Sequence, residues 1–332
     1  MPQININGLS DIGKMREENQ DSMGWHTLSP ICHFFIVSDG MGGYAGGALA
    51  SKIAVDTAIG LIKTTSLDTI QKKPELVLRQ AINKANNNIN KEARKNSEFK
   101  DMGATIVCCI VNSNKLFTAH IGDSRGYLIK KGIISQITED HTVVQDLVRA
   151  GYVNSEDADY HPSSGILTKC LGQMEITDPN ISDTITLEEG DNILLCSDGL
   201  TGMLDDLEIG EIITFEKMND ALHLLIDLSN ESGGFDNITT VICKYGHKTY
   251  QFDEIEVNRG NPLYIKSSDS SLNDPTTPFK MPAGEKLRDT MYLPAIDDFE
   301  KQKRPSWLFP IIISLFIILL GIIFWYIGLI NL

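Results

Sequence analysis

The chain is short of positive charge. Its 332 residues carry 29 lysines and arginines against 44 aspartates and glutamates, a formal net charge of −15. Binding a phosphate backbone needs a basic face, so this balance argues against a nucleic-acid partner. Cysteine is sparse as well. The six are Cys32, Cys108, Cys109, Cys170, Cys196 and Cys243, and no two form a Cys-x-x-Cys pair. Most lie in apolar runs such as 106–111, which fits reduced, buried thiols better than a disulfide frame or a zinc site. The opening Met-Pro-Gln-Ile-Asn-Ile has no basic region followed by an apolar stretch, so no signal peptide is expected.

The C-terminal end differs. Residues 307–330 read WLFPIIISLFIILLGIIFWYIGLI without one charge. As a helix rising roughly 1.5 Å per residue, this exceeds the ~30 Å hydrocarbon core, and a membrane-spanning helix is expected there. Lys301, Lys303 and Arg304 flank its N-terminal side, which the positive-inside rule places in the cytoplasm together with everything before residue 300. Trp307, Trp325 and Tyr326 suit interfacial anchors.

Residues 1–245 alternate strand-like and helical patterns. Runs of Val, Ile and Phe predict strands at 33–38, 104–111, 115–120, 126–131, 133–137, 192–197 and 238–245. Ala50, Ile53, Ala54, Thr57, Ala58 and Leu61 mark one face of a helix, and Leu78, Ala81, Ile82, Ala85 and Ile89 mark another that begins near Pro74. Shorter helices are expected at 143–150, closed by Gly151, and at 220–229. The strands at 115–120, 126–131 and 133–137 follow so closely that they predict successive hairpins, hence antiparallel sheets and an α+β domain. Residues 246–306 are rich in Ser, Pro, Asp and Thr without an apolar period, and read as a flexible cytosolic linker.

Chemistry gathers at aspartates. Phe34-Phe35-Ile36-Val37-Ser38-Asp39-Gly40 and Ile193-Leu194-Leu195-Cys196-Ser197-Asp198-Gly199 are near copies, each an apolar strand delivering Ser-Asp-Gly at its end. One Asp-Gly is ordinarily a turn. Two on matching strands suit metal ligands mounted on rigid elements, with a glycine carbonyl free to act as an oxygen ligand. Asp123, in Gly122-Asp123-Ser124-Arg125, is expected at a tight hairpin turn, and Asp236, in Asp236-Asn237-Ile238-Thr239, leads into the last strand. Taken singly, each also fits a turn or a strand cap. Near the N-terminus Arg16 precedes Asp21 by five residues, and a guanidinium is suited to fork onto phosphoryl oxygens.

Seven motifs occur in order: Gly-x-x-Arg-x-x-Asn-Gln-Asp (13–21), Asp-Gly-Met-Gly-Gly (39–43), Gly-Ala-Thr (103–105), Gly-Asp-Ser-Arg (122–125), Glu-Asp-His-Thr (139–142), Ser-Asp-Gly-Leu (197–200) and Asp-Asn-Ile-Thr (236–239). In order and spacing, across roughly 5–245, the chain resembles the PPM family, the type 2C metal-dependent protein serine/threonine phosphatases, in bacterial form. The resemblance implies a four-layer α/β/β/α sandwich, two antiparallel sheets flanked by helices, over 1–245, ahead of the 246–306 linker and the 307–330 transmembrane helix. It implies a binuclear centre: Asp39 bridges two ions, the Gly40 carbonyl serves one, and Asp198 and Asp236 serve the other. Asp21 orients metal-bound water, Asp123 with Asp198 holds a weaker third ion, and Arg16 grips the phosphate. The catalytic set is thus Arg16, Asp21, Asp39, Asp198 and Asp236.

The donor chemistry agrees, since carboxylates and carbonyls without histidine favour Mn²⁺ or Mg²⁺. Two such ions roughly 3.5–4 Å apart can share a hydroxide in line with phosphorus. The implied substrates are phosphoserine and phosphothreonine proteins, a protein kinase or its substrates among them.

The pattern departs in places. Where some members carry a histidine that protonates the leaving group, this chain has Met41, and His161 is either an alternative acid or a turn residue. Ser164, Gly165 and Lys169 replace the usual residues of the neighbouring flap. His33, His120 and His223 read as core. Calcineurin-type phosphatases need Asp-x-His together with Gly-Asn-His, and Gly-Asn-His is absent. A phosphopeptide-binding pseudo-phosphatase would have lost a metal aspartate, and Asp21, Asp39, Asp123, Asp198 and Asp236 are all present.

Overall fold

Residues 2–42, 46–158, 161–173 and 178–246, with the backbone of 256–258, are described by the structure, a computed structural model. The helix expected at 307–330 and most of the 246–306 segment lie outside the described residues. Among the described residues no helix is long and apolar enough to cross a membrane.

Strands β1 (Ile4–Asp11), β2 (Ser22–Ser29), β3 (Cys32–Ser38) and β4 (Gly40–Met41) precede helices α1 (Gly46–Thr64), α2 (Leu67–Lys72) and α3 (Pro74–Ala93). Then come β5 (Gly103–Ala104), β6 (Ile106–Asn112), β7 (Lys115–Ile121), β8 (Arg125–Lys130), β9 (Ile133–Gln136) and α4 (Val143–Arg149). The remainder holds β10 (Asn180–Ile181), β11 (Ile185–Thr186), β12 (Asn192–Cys196), α5 (Asp198–Thr201), α6 (Asp206–Phe215), α7 (Met218–Glu231), β13 (Ile238–Tyr245) and β14 (Glu256–Asn258). One sheet runs β1-β13-β12-β8-β9-β14, the other β10-β7-β6-β3-β2 with β11 beside β7.

The unbroken apolar runs of β3 and β12 have a physical reason: both faces of each strand are covered. Side chains alternate across a strand. Phe34 and Ile36 therefore join Ala54, Ala58, Leu78 and Ile82 of α1 and α3 in one core, while Phe35 and Val37 meet the other sheet. On the facing sheet Ile193 and Leu195 complete that middle core, and Leu194 and Cys196 pack with Ile209, Ile213, Leu222 and Leu225 of α6 and α7. Each buried Phe or Leu is worth about 1.5–3 kcal/mol. The cysteines follow the same logic: all six are free, and all but Cys170 are buried.

Several expectations need correction. The strands at 115–120 and 126–131 do not form a hairpin: β7 pairs with β6 and β8 with β9 and β12, so residues 122–124 cross from one sheet to the other. Gly122 makes the crossing possible with a φ of +100°, at a point where a Cβ would meet Thr105 at 2.6 Å. The α1 stripe is rotated: Ser51, Val55 and Ile62 are buried where Ile53, Thr57 and Leu61 are only partly so. His223 is exposed on α7, unlike His33 and His120. β14 pairs parallel to β9 within the stretch read as linker, because the edge of β9 offers a ladder to even three residues. Otherwise the named strand pairs are antiparallel.

Gly60 is exposed in α1 with open space where a Cβ would stand. Gly60→Ala is expected to stabilise the chain by about 0.5–1 kcal/mol, seen as a higher urea midpoint at unchanged m.

Candidate active site

All five aspartates stand at one end of the two sheets. Asp39 follows β3 and Asp21 precedes β2, whose Ser22 is paired with Ser38. Asp198 follows β12, Asp236 precedes β13, and Asp123 precedes β8, with Cys196 paired to both Thr240 and Arg125. Strand ends are rigid, so the carboxylates are mounted on the frame itself.

A small set of polar residues clasps this end. The hydroxyl of Thr105 accepts from the Asp39 N–H at 2.9 Å and meets Ser124 Oγ at 2.7 Å, while Ser38 Oγ donates to the Thr105 carbonyl at 2.6 Å. The Asp39 and Asp123 loops, from different strands of different motifs, are thereby locked to one hydroxyl. Gly40 and Gly199 have no room for a side chain: a Cβ would collide with the Gly47 carbonyl at the first and the Asn237 carbonyl at the second. Asn237 holds the opposite side. Its Nδ2 donates to the carbonyls of Ile12 and Glu18 at 2.8 and 3.0 Å, and its Oδ1 accepts from the Gln20 N–H at 2.8 Å.

Within this frame the carboxylates crowd one another. Asp123 is buried, and Asp21, Asp39, Asp198 and Asp236 are partly so. Burial first, and then the charges of Asp21 and Asp198, push Asp39 well above the ordinary carboxylate range. Burial and the Asp198 charge do the same to Asp123, and burial and Asp236 raise Asp198. Asp21 is raised to about 7, chiefly by burial, although Ser197 Oγ donates to its Oδ2 at 2.7 Å. Asp39 and Asp198 are close enough to share a hydrogen bond. Asp236 takes Arg16 Nη2 at 2.6 Å and the Asn237 N–H at 2.8 Å. The hydrogen bond to Asp236 holds the Arg16 guanidinium above its usual pKa.

Among the described residues no three of these carboxylates converge as a finished ligand cage. Even so, a hard divalent cation fits the donor set. Oxygen ligands without imidazole suit Mn²⁺ or Mg²⁺. The buried Oδ1 of Asp198 has no hydrogen-bond partner among the described residues, and mutual repulsion of buried carboxylates is what a cation relieves.

Ser197, Thr105 and Asn237 belong to three of the seven motifs, and the fold shows them to be the side chains that brace the aspartates. The Glu-Asp-His-Thr motif is likewise structural here. Glu139 pairs with Arg149 and Asp140 with Arg125, each at 2.7 Å, and Thr142 caps α4. His141 Nδ1 accepts the Gly122 N–H at 3.0 Å, and its ring stacks on His120 at 4.9 Å. Burial first, then the facing His120, keep His141 neutral by lowering its pKa to about 2. His161 serves a turn, its Nδ1 accepting the Ser163 N–H at 3.2 Å. Ser164 and Gly165 continue that turn, and Met41 in β4 pairs with Gly103.

The comparisons agree with this geometry. A family model described as protein phosphatase 2C matches residues 14–227. The serine/threonine phosphatase stp of Listeria monocytogenes is 34% identical over 239 residues, 71% of this chain and 93% of its own. The protein phosphatase PhpP of Streptococcus pneumoniae is 34% identical over 241 residues, 72% of this chain and 96% of its own. Among solved structures, the catalytic domain of the serine/threonine protein phosphatase PstP in complex with two manganese ions aligns with a TM-score of 0.65 and 30% identity, covering 74% of this chain and 100% of that one. This chain belongs to the protein phosphatase 2C family. Its relatives are bacterial, and its chemistry is that of a serine/threonine protein phosphatase.

Removing one repelling charge is expected to help the chain when chelator is present. Asp198→Asn in EDTA should raise stability by about 1–3 kcal/mol and abolish the gain that Mn²⁺ gives the wild type, both read by thermal melts. The EDTA difference should be larger at pH 8 than at pH 5. Asp21, with a folded pKa of about 7 above its unfolded value, regains stability for the wild type as pH falls through 7.

Proposed function

We propose that this chain hydrolyses phosphoserine and phosphothreonine in proteins, using Mn²⁺ or Mg²⁺ bound at its aspartate cluster, from the cytoplasmic face of a membrane. The observation that carries the reading is the crowd of raised, mutually repelling carboxylates beside a phosphate-suited arginine. Asp39, the Gly40 carbonyl, Asp198 and Asp236 would hold two ions, and Asp123 with Asp198 a weaker third. The manganese ions of the PstP structure support the first two. When bound, the ions supply positive charge for the phosphoryl oxygens and make water acidic enough to act as a nucleophile near neutral pH.

The chain's own residues do the remainder. Arg16 exchanges Asp236 for two phosphoryl oxygens and sets the phosphorus in place. Asp21, fixed through Ser197, accepts a hydrogen bond from the attacking water and aims it. The leaving serine or threonine oxygen needs a proton that Met41 cannot give.

The membrane address rests on residues 307–330 and the flanking Lys301, Lys303 and Arg304. If residues 259–306 behave as coil, they let the catalytic part range about 40 Å from the anchor. Its substrates are then phosphoproteins at that membrane, and its reaction opposes a protein serine/threonine kinase acting there.

The full chain should release phosphate from a phosphothreonine peptide with Mn²⁺ and not with EDTA. Arg16→Ala should cut kcat/KM at least 100-fold while calorimetric Mn²⁺ affinity is kept or tightened, since Asp236 loses its internal counter-ion. Asp39→Asn should lose both, and Asp123→Ala should keep tight Mn²⁺ binding but not turnover. Loss of Mn²⁺ binding in Arg16→Ala would refute its assigned role.

The address is tested separately. Deleting residues 305–332 should move the protein to the soluble fraction at unchanged specific activity. A truncated chain still membrane-bound in high salt would sink the anchor.

A further inference from the structure

Nine large apolar side chains are exposed among the described residues, and three of them, Ile12, Met15 and Phe235, sit on the two loops that carry Arg16 and Asp236. Met15 is 66% exposed and Phe235 60%. Each is the immediate chain neighbour of one partner in the 2.6 Å ion pair between Arg16 and Asp236. The pair is therefore flanked by an apolar residue on either loop.

These loops have no slack in which to hide such side chains. The N–H groups of Lys14 and Met15 both donate to the Gly234 carbonyl, at 2.8 and 3.2 Å. Gly13 N–H donates to Asp11 Oδ1 at 2.8 Å, and Asn237 ties down the carbonyls of Ile12 and Glu18. Phe235 is backed by its own loop: a Cβ on Gly233 would meet its ring at 2.7 Å. Apolar area held in water forfeits roughly 25 cal/mol per Å². A rigid, hydrogen-bonded platform that presents apolar side chains beside a cation is preorganised for binding.

We infer that Met15 and Phe235, with Ile12 beside them, select the protein substrate by taking apolar side chains that flank the phosphorylated residue. The match is of charge and of polarity. Arg16 between apolar neighbours complements a phosphoryl dianion between apolar residues, and an extended peptide advances about 3.3 Å per residue, bringing positions one or two away over the rim. This rests on the proposed phosphatase activity, which it makes specific for one class of sequence. A second copy of the chain is the other occupant such a surface could take.

The test uses the full-length chain with Mn²⁺ and two phosphothreonine peptides that differ only in leucine or glycine at the flanking positions. The wild type should favour the leucine peptide roughly tenfold in kcat/KM, mostly through KM. Met15→Ser, Phe235→Ser and the double variant should lose that preference and turn over the glycine peptide as before. Equal wild-type rates on the two peptides, or variants that slow both alike, overturn the inference and leave the phosphatase reading standing. Failure of the wild type on both peptides removes that reading and the inference with it. Dimerisation that the same substitutions abolish, without a change in peptide preference, assigns the surface to self-association instead.

Discussion

Repulsion between carboxylates is the constraint around which this molecule is built. Two carboxylates about 4 Å apart, at an effective dielectric near 20, repel by about 4 kcal/mol. Whole domains are stable by only about 5–15 kcal/mol. Asp39, Asp123 and Asp198 can stand together only if the backbone beneath them cannot yield. The Thr105 hydroxyl, gripping the Asp39 N–H and Ser124, supplies one restraint, and the Ser197 hydroxyl on Asp21 supplies another. Neither bond is strong alone, but both anchor to strands buried on two faces.

That double burial links the core to the chemistry. A sheet with one wet face could slide or fray at its end. Here β3 and β12 are packed between a helix layer and the opposite sheet, so their final residues are set by three separate cores. The glycines after Asp39 and Asp198 then let other backbone close in to contact, at Gly47 and Asn237 respectively. The change of sheets runs through Gly122, whose φ of +100° a glycine adopts freely and whose N–H His141 accepts.

Much of this was legible in the sequence, for definite reasons. The two Ser-Asp-Gly ends were visible because the strands before them are apolar without alternation, the pattern of strands covered on both faces. The α3 stripe of Leu78, Ala81, Ile82, Ala85 and Ile89 is buried as its spacing predicts. By contrast, β1 and β2 lack the continuous apolar run that marks the doubly covered strands: all eight residues of β1 are half-buried, and its Ile4 and Ile6 alternate with Asn5 and Asn7. The 115–131 stretch read as a hairpin because a Gly-Asp-Ser turn and a crossing between sheets use the same residues. Partners across the chain, such as Asn237 to Ile12 or Arg16 to Asp236, leave no periodic trace, since they join segments more than 200 positions apart.

The pairing of β1 with β13 has a further effect. Asp11 lies opposite Ile238 at the catalytic end, and Ile4 lies opposite Tyr245 at the other. The strands rise about 3.4 Å per residue, so the chain enters and quits this pair about 25 Å behind the aspartates. β14 then runs parallel to β9, Glu256 opposite Ile133 and Asn258 opposite Ser135, so it heads back toward the aspartates along an edge of the sheet. A pull on Asn258 would therefore fall on the three-residue ladder between β14 and β9, and the β1–β13 pair beside the aspartates would be spared.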